Sequence, residues 1–119
     1  MRTFILAALL IATSAFASVA RTRNDVDLVF DKNKGRIYAL YARELRKNPY
    51  LQGEIVLSLS IAADGTVTKC NVASSTLYHR ELEKLIVEHF TSLNFGAKGT
   101  QPFSLKFPIT FISTANAKK

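Results

Sequence analysis

The sequence predicts an α+β domain in which two helices pack on one face of a small three-stranded antiparallel sheet, in the order α-β-β-α-β. Three observations lead to this fold class. Apolar residues recur at helical spacing in two segments, Val26 to Leu45 and Leu82 to Leu93. They alternate with polar residues in two others, Ile55 to Ile61 and Leu105 to Phe111. An Asp64-Gly65 pair follows the first alternating segment and favours a tight turn into a further strand.

The first 20 residues have the pattern of a signal peptide. Met1-Arg2 gives a short basic start, and Phe4 to Ala12 is an apolar run shorter than the roughly 20 residues that span a bilayer as a helix. Small side chains then allow cleavage after Ala17 or Ala20. The sequence therefore predicts an exported, periplasmic protein with no transmembrane helix after removal of the signal. A signal retained as an anchor is the alternative.

One domain, residues 21–112, is predicted to follow, with a frayed tail at residues 113–119. The full chain of 119 residues has a net charge of +7, and loss of residues 1–20 removes only Arg2, which leaves +6. This charge favours acidic partners such as anionic headgroups, cell-wall polymers or an acidic peptide. The basic residues are scattered and are not clustered with aromatic residues, so no nucleic-acid partner is predicted.

The first helix is expected to follow a polar lead-in at residues 21–24. Acidic residues lie near its start and basic residues near its end, as the helix macrodipole favours. Asn33 and Gly35 weaken its middle, so a kinked helix or two short helices also fit the pattern. Asn48-Pro49 ends the element, because the residue before a proline resists helical angles.

The strands and the second helix follow in order. The first strand begins at Gly53, and the second is predicted from Thr66 to about Ala73, mainly because of the turn before it. The hydroxyl residues at 74–76 indicate the end of this strand, and the second helix then places its apolar side chains on one face. A loop from Asn94 to Pro102 leads to the last strand. Pro108 lies on the polar face of that strand, which predicts an edge position or a bulge there.

No residue pattern predicts catalysis, a cofactor or a metal site. His79 and His89 are ten residues apart, about 15 Å along a helix axis, so they cannot share a metal. We expect a solvated or capping role for His79 and a partly exposed position for His89. The hydroxyls at 74–76 lack the glycines of a nucleophile elbow and are expected to satisfy backbone N–H groups. Cys70, the single cysteine, is expected to be a small half-buried strand residue.

The edges of the predicted sheet remain as candidate binding features. A three-stranded sheet has two edge strands with unpaired backbone groups, and an extended peptide can add there as a further strand. The alternative is that the edge strand has no binding role, and that Pro108, Lys106 and the sheet twist protect it from pairing with other chains.

An ordered set of short motifs spans Val26 to Phe111, nearly the whole of the chain after the signal. The motifs are Ile37-Tyr38-Ala39-Leu40-Tyr41, Lys47-Asn48-Pro49-Tyr50-Leu51-Gln52-Gly53, the strand from Glu54 to Ile61, Asp64-Gly65-Thr66-Val67, Val72-Ala73-Ser74-Ser75-Thr76-Leu77, Leu93-Asn94-Phe95 and Phe107-Pro108-Ile109-Thr110-Phe111. In this order and spacing they resemble the C-terminal domain of TonB energy transducers, most closely the AgmX/PglI C-terminal domain subgroup.

The resemblance implies the same order of helices and strands and a protein partner in the periplasm. In TonB proteins the C-terminal strand accepts the Ton box of an outer-membrane transporter as an added strand. Carried over by position, the resemblance implies partner contacts at Ser104, Leu105, Lys106, Phe107, Ile109, Thr110 and Phe111.

The sequence departs from this family in three respects. It shows neither a retained membrane helix nor the Pro-rich spacer of a TonB protein, so force transmission from the inner membrane is not predicted. Many AgmX/PglI-like domains carry a cysteine in each helix where this chain has Leu40 and Leu85, which implies packing in place of a disulfide. The Tyr-Pro motif that opens the first helix in TonB proteins is missing, and with it the basis for transporter-specific contacts.

The predicted function is a stand-alone periplasmic adaptor that binds a segment of an envelope protein or outer-membrane transporter by β-strand addition at its last strand. The alternative is a structural module of the cell envelope that binds peptidoglycan or self-associates as a homodimer, without a transport role. An enzyme is not predicted.

Overall fold

The structure, a computed structural model, describes residues 19–117, so nearly all of the predicted signal peptide lies outside the described residues. The elements in chain order are α1 (Arg23–Leu45), β1 (Gly53–Ile61), β2 (Val67–Ser75), α2 (Arg80–Thr91), β3 (Phe103–Phe111) and a single helical turn, α3 (Thr114–Ala117). The strands form one antiparallel sheet in the order β2-β1-β3. The predicted α+β class and element order are confirmed. Within residues 19–117, no helix has both the length and the apolar character needed to cross a membrane.

The core lies between one face of the sheet and the two long helices. Alternate residues of β1 and β3 are buried with three residues of α2: Ile55, Leu57, Leu59, Ile61, Phe107, Ile109, Phe111, Leu82, Ile86 and Phe90. The ring of Phe30 in α1 lies 5.9 Å from that of Phe90 and 5.1 Å from that of Phe107, measured between centroids. These three rings therefore join α1, α2 and the sheet at one point.

Helix α1 is continuous over 23 residues. The side chain of Asn33 donates a hydrogen bond to the carbonyl of Val29 at 2.8 Å, and the helix continues through Gly35 without a break. Thr22 and Asp25 form a capping box: the Thr22 backbone N–H donates to the Asp25 carboxylate at 2.8 Å, and the Asp25 N–H donates to the Thr22 hydroxyl at 3.3 Å. The prediction of a polar lead-in through Asn24 is wrong, because this cap starts the helix at Arg23.

Arg21 is buried and ties the start of α1 to two distant loops. Its side chain is 5% exposed. The guanidinium donates to the carbonyls of Gly96 at 2.7 Å, Phe95 at 3.2 Å and Ala62 at 3.4 Å. Lys98 adds an ion pair to Asp25 at 3.1 Å. The N-terminal end of α1 is thus held to the turn after β1 and to the loop after α2, which closes one end of the core.

The two pairings of β1 differ in regularity. The register with β3 is unbroken from Gly53↔Phe111 to Ile61↔Phe103, so Pro108 lies at an edge without a bulge. The register with β2 shifts at two points, and β2 continues to Ser75, beyond the predicted end at Ala73. The Asp64-Gly65 turn is present, with Gly65 at a φ of 97°.

The chain after β3 contacts the loop before β1. Ser113, which the sequence places at the start of a frayed tail, is 2% exposed. Its hydroxyl donates to the carbonyl of Pro49, and its N–H donates to the Gln52 side chain at 3.3 Å. These bonds fix the end of β3 beside the start of β1. Residues 118–119 of the predicted tail lie outside the described residues.

We expect Arg21→Ala to lower the free energy of unfolding by about 2 kcal/mol, because three carbonyls lose a charged donor. Urea denaturation followed by circular dichroism measures this change. Arg80→Ala is the matched control, since Arg80 is exposed and forms no ion pair within the described residues. Equal stability of the two variants would show that Arg21 does not hold the loops.

Candidate strand-addition site

Strand β3 forms an edge of the sheet over its full length of nine residues. It pairs with β1 on one side, and no other strand within residues 19–117 pairs with it. The unbroken register gives β3 a regular extended backbone, which a further strand needs as its template. The predicted edge position of this strand is confirmed.

Two contacts identify which backbone groups of β3 face the open side. The hydroxyls of Ser60 and Ser104 lie 2.8 Å apart, as expected for a closely spaced, non-hydrogen-bonded pair of facing residues. The carbonyl of Lys106 accepts a hydrogen bond from the Arg23 side chain at 3.0 Å, so that carbonyl faces away from β1. The even-numbered residues of β3 therefore point their backbone groups outward. Ser104, Lys106 and Thr110 offer N–H donors there, and Pro108 offers only a carbonyl.

The seven predicted contact residues divide into two groups in the structure. Ser104, Lys106 and Thr110 are exposed, and their side chains lie on the sheet face opposite the helices. The other four face the helices: Phe107, Ile109 and Phe111 are buried and Leu105 is half-buried. An added strand would contact the first group and the outward backbone groups, whereas the second group holds β3 to the core. A partner at these seven residues stays a prediction.

Arg23 partly covers this edge, a contact that the sequence did not indicate. Besides its bond to Lys106, its guanidinium lies over the ring of Phe107, 5.8 Å from the centroid. Cation–π contacts at exposed sites contribute about 0.5–1 kcal/mol, so the cover is weak enough to be displaced. Arg23 and Pro108 together protect the middle of β3 against unspecific pairing.

His79 caps α2 and also joins the two long helices. Its Nδ1 accepts a hydrogen bond from the Leu82 N–H at 3.1 Å, which confirms the capping role. Its Nε2 lies 3.1 Å from the Glu44 carboxylate near the end of α1. Burial acts to raise the pKa of Glu44, but the charge of Lys47 and the contact with His79 outweigh it and hold that pKa below its usual range. Both histidine nitrogens are thus engaged in structural contacts.

The other residues considered for chemistry have structural partners. The Ser75 hydroxyl donates to Glu83 at 2.8 Å and accepts from the Leu77 N–H at 3.1 Å. The Thr76 hydroxyl accepts from the Glu54 N–H at 2.9 Å. Burial raises the pKa of the half-buried Cys70 thiol to about 11, so it stays protonated at neutral pH. Among residues 19–117, no three His, Cys, Asp or Glu side chains are grouped to hold a metal ion.

His89 lies between the two long helices, beside a small cavity of about 190 Å³ that Arg36 and Leu40 also line. Its Nε2 is buried and has no hydrogen-bond partner within the described residues. Burial lowers the pKa of His89 and the positive charge of Arg36 lowers it further, although the backbone of Asn33 acts in the opposite direction. The folded protein therefore favours the neutral imidazole.

No protein-family model, curated protein or solved structure matches this chain. The resemblance to the TonB C-terminal domain accordingly stays a prediction.

We expect the free energy of unfolding to fall as the pH drops below the ordinary histidine pKa of about 6.5, and His89→Gln to weaken that fall. The unfolded chain protonates His89 more readily than the folded protein does, so stability from this residue is complete above that pH and is lost below it. Urea denaturation of both proteins at about pH 8 and about pH 5 tests this. An identical pH dependence in the variant would contradict the expectation.

Proposed function

We propose that this protein is an exported adaptor that binds an extended segment of another envelope protein by strand addition at β3. The observation that carries the proposal is the nine-residue edge, paired on one side in unbroken register. Three outward N–H donors and the carbonyls beside them provide the main-chain bonds that such a segment needs. Capture of a polypeptide requires no catalytic group.

The side chains along this edge indicate what kind of segment fits. Lys106 and Thr110 are exposed beside the outward backbone groups, and both are polar. A segment with polar or acidic side chains on the sheet face opposite the helices would be accommodated, consistent with the net charge of +6 that remains after loss of residues 1–20. The resemblance to TonB C-terminal domains supports the same strand as the contact surface and implies a segment of an envelope protein or outer-membrane transporter as the partner.

A second candidate function is a cell-envelope module that binds peptidoglycan or a second copy of the chain. The sheet face opposite the helices favours it, since small hydroxyl side chains and lysines cover that face: Ser58, Ser60, Ser74, Ser104, Thr110, Lys69 and Lys106. Hydroxyl and ammonium groups can bond sugar hydroxyls and peptide carboxylates. This function would use the face of the sheet and leave the edge free.

We expect Thr110→Pro to abolish capture of a protein partner from envelope extract, with a loss of affinity of at least tenfold. The Thr110 N–H faces outward, so proline removes a donor for the added strand and leaves the ladder to β1 intact. The measurement is a pull-down with the purified protein. Lys106→Pro, at an equivalent outward position, should act in the same way.

Thr110→Val is the matched control, because valine keeps the N–H and suits a strand. Circular dichroism must show that all variants are folded. Equal capture by the proline and valine variants would refute strand addition at β3. Retention of peptidoglycan by every variant, without any protein partner, would favour the second function.

We expect Arg23→Ala to raise the affinity for the captured partner by a few-fold, because the Lys106 carbonyl becomes free to accept a bond from the added strand. Titration of the purified partner by isothermal calorimetry measures the change. Arg23→Lys keeps the charge but lacks the planar guanidinium, and it serves as the control. Weaker binding of Arg23→Ala would mean that Arg23 contacts the partner directly and does not cover the edge.

A further inference from the structure

Helix α1 carries a row of exposed cations on the side that the core does not use. Lys32, Arg36 and Arg43 lie within the helix, and Arg46, its C-cap residue, keeps helical angles. All four residues are exposed. Since each helical residue turns by about 100°, these positions fall within an arc of about 80°, roughly opposite the buried residues of the helix. We call this arc the cationic face.

Positive charge outweighs negative charge along this part of the helix. Residues 32–47 include six lysines and arginines and one carboxylate, Glu44. That carboxylate belongs to the buried side, because Glu44 is only 5% exposed. It lies 3.6 Å from the Lys47 ammonium, 3.7 Å from the Arg43 guanidinium and 3.1 Å from the His79 ring. The cations are spread along the sequence, and the helix brings four of them onto one surface.

Three further carboxylates lie near the cationic face, and they do not balance it. Asp25 is on the same side in the first turn, where Lys98 pairs with it at 3.1 Å. Glu81 and Glu88 are exposed on the neighbouring helix α2. Glu88 lines the same small cavity as Arg36, but neither glutamate forms an ion pair with any residue that the structure describes. Residues 32–47 alone have a net charge of +5, and +3 remains when Asp25, Lys98, Glu81 and Glu88 are added. The charge here therefore selects an anionic occupant.

The stability of the helix does not by itself account for this arrangement. The helix macrodipole favours cations in the last turn, which explains Arg43 and Arg46. Lys32 and Arg36 lie more than two turns before the end of the helix. Because they are four residues apart, their like charges repel each other across one turn. An anionic surface against this side of the helix would replace that repulsion with attraction.

The shape of the cationic face suits a flat partner. Gly35 and Ala39 lie among the cations, so the side chains between them are small. Leu28 lies on the same side, one turn before Lys32, and its 53% exposed apolar side chain can enter a headgroup layer. The row from Leu28 to Arg46 extends over about 27 Å. The backbone groups in the middle of a helix are already paired, so an extended peptide finds no main-chain bonds there.

We propose that the cationic face of α1 is a docking surface for the anionic headgroups of a lipid bilayer. Each lysine or arginine held at such a surface is attracted by its negative potential, which falls off within a Debye length of about 8–10 Å. The export proposed above delivers the chain to a compartment that membranes enclose. Docking needs no helix that crosses the bilayer.

Docking in this way leaves the edge at β3 open. Arg23 and Tyr38 contact Lys106 and Phe111 of β3. Both lie about 120–180° around α1 from Lys32, so the edge does not face the bilayer. A docked molecule can therefore capture a segment at the membrane surface. This inference goes beyond strand addition and does not depend on it.

The test measures co-sedimentation of the protein with lipid vesicles. Residues 1–20 are removed so that their apolar run cannot insert, and the remaining chain retains the whole described core. Vesicles of phosphatidylcholine with about 30% phosphatidylglycerol are compared with vesicles of phosphatidylcholine alone at about 0.1 M salt. We expect at least roughly tenfold stronger binding to the anionic vesicles, and at least roughly fivefold weaker binding to them at about 0.5 M salt.

Lys32→Gln combined with Arg36→Gln should weaken binding to the anionic vesicles by at least roughly tenfold, because each cation contributes about fivefold. Glutamine keeps a high helix propensity. Arg80→Gln combined with Lys84→Gln is the matched control. It removes the same charge from two exposed residues on the β2 side of α2 that form no ion pair within the described part of the chain. Its binding should stay within about twofold of the unaltered protein, and circular dichroism must show that both double variants are folded.

Absence of binding to the anionic vesicles, or equal binding to both kinds of vesicle, would overturn the proposal. Equal losses in the two double variants would also overturn it, since net charge and not this face would then govern binding. Soluble polyglutamate that binds the face while anionic vesicles do not would assign it to an acidic polypeptide. Thr110→Pro should bind vesicles like the unaltered protein, so failure of strand addition at β3 and failure of membrane docking are distinguishable.

Discussion

The central strand β1 is the constraint on which the remaining structure depends. It is the one strand within residues 19–117 that pairs on both sides, and four of its side chains are buried against the helices. A sheet with one central strand must leave two edges, and two helices suffice to cover one face of it. The open edges, the exposed polar face and the single core all follow from this arrangement.

The two edges of the sheet differ in the regularity of their backbones and in how they are protected. Strand β3 is regular and long, and a proline and the Arg23 side chain cover its middle. Strand β2 also has nine residues, but two register shifts limit its regular pairing with β1 to residues 69–72. A strand added to β3 would be held mainly by main-chain bonds, since the exposed side chains of β3 lie on the polar face of the sheet.

The periodic elements of the fold could be predicted from the sequence, but contacts between distant residues could not. Alternation from Ile55 to Ile61 and from Leu105 to Phe111 is a local pattern, and both strands were placed to within about two residues. The edge position of β3 followed from Pro108. Burial of Arg21 depends on carbonyls up to 75 residues away. The position of the Arg23 side chain over the edge of β3 depends on the carbonyl of Lys106. No local pattern in the sequence indicates either contact. The cavities between β2 and α2 depend on the angle at which α2 packs against the sheet. The periodicity of the sequence does not fix that angle.

The contacts of Arg21 also bear on the order in which the chain folds. The pairing of β1 with β2 joins strands that are close in sequence, so it can form before the pairing of β1 with β3. Arg21 must wait for Phe95 and Gly96, and β1 stays half-paired until β3 follows. Closure of the core thus requires residues from both ends of the domain, and its last contacts form only when nearly all of the chain is available.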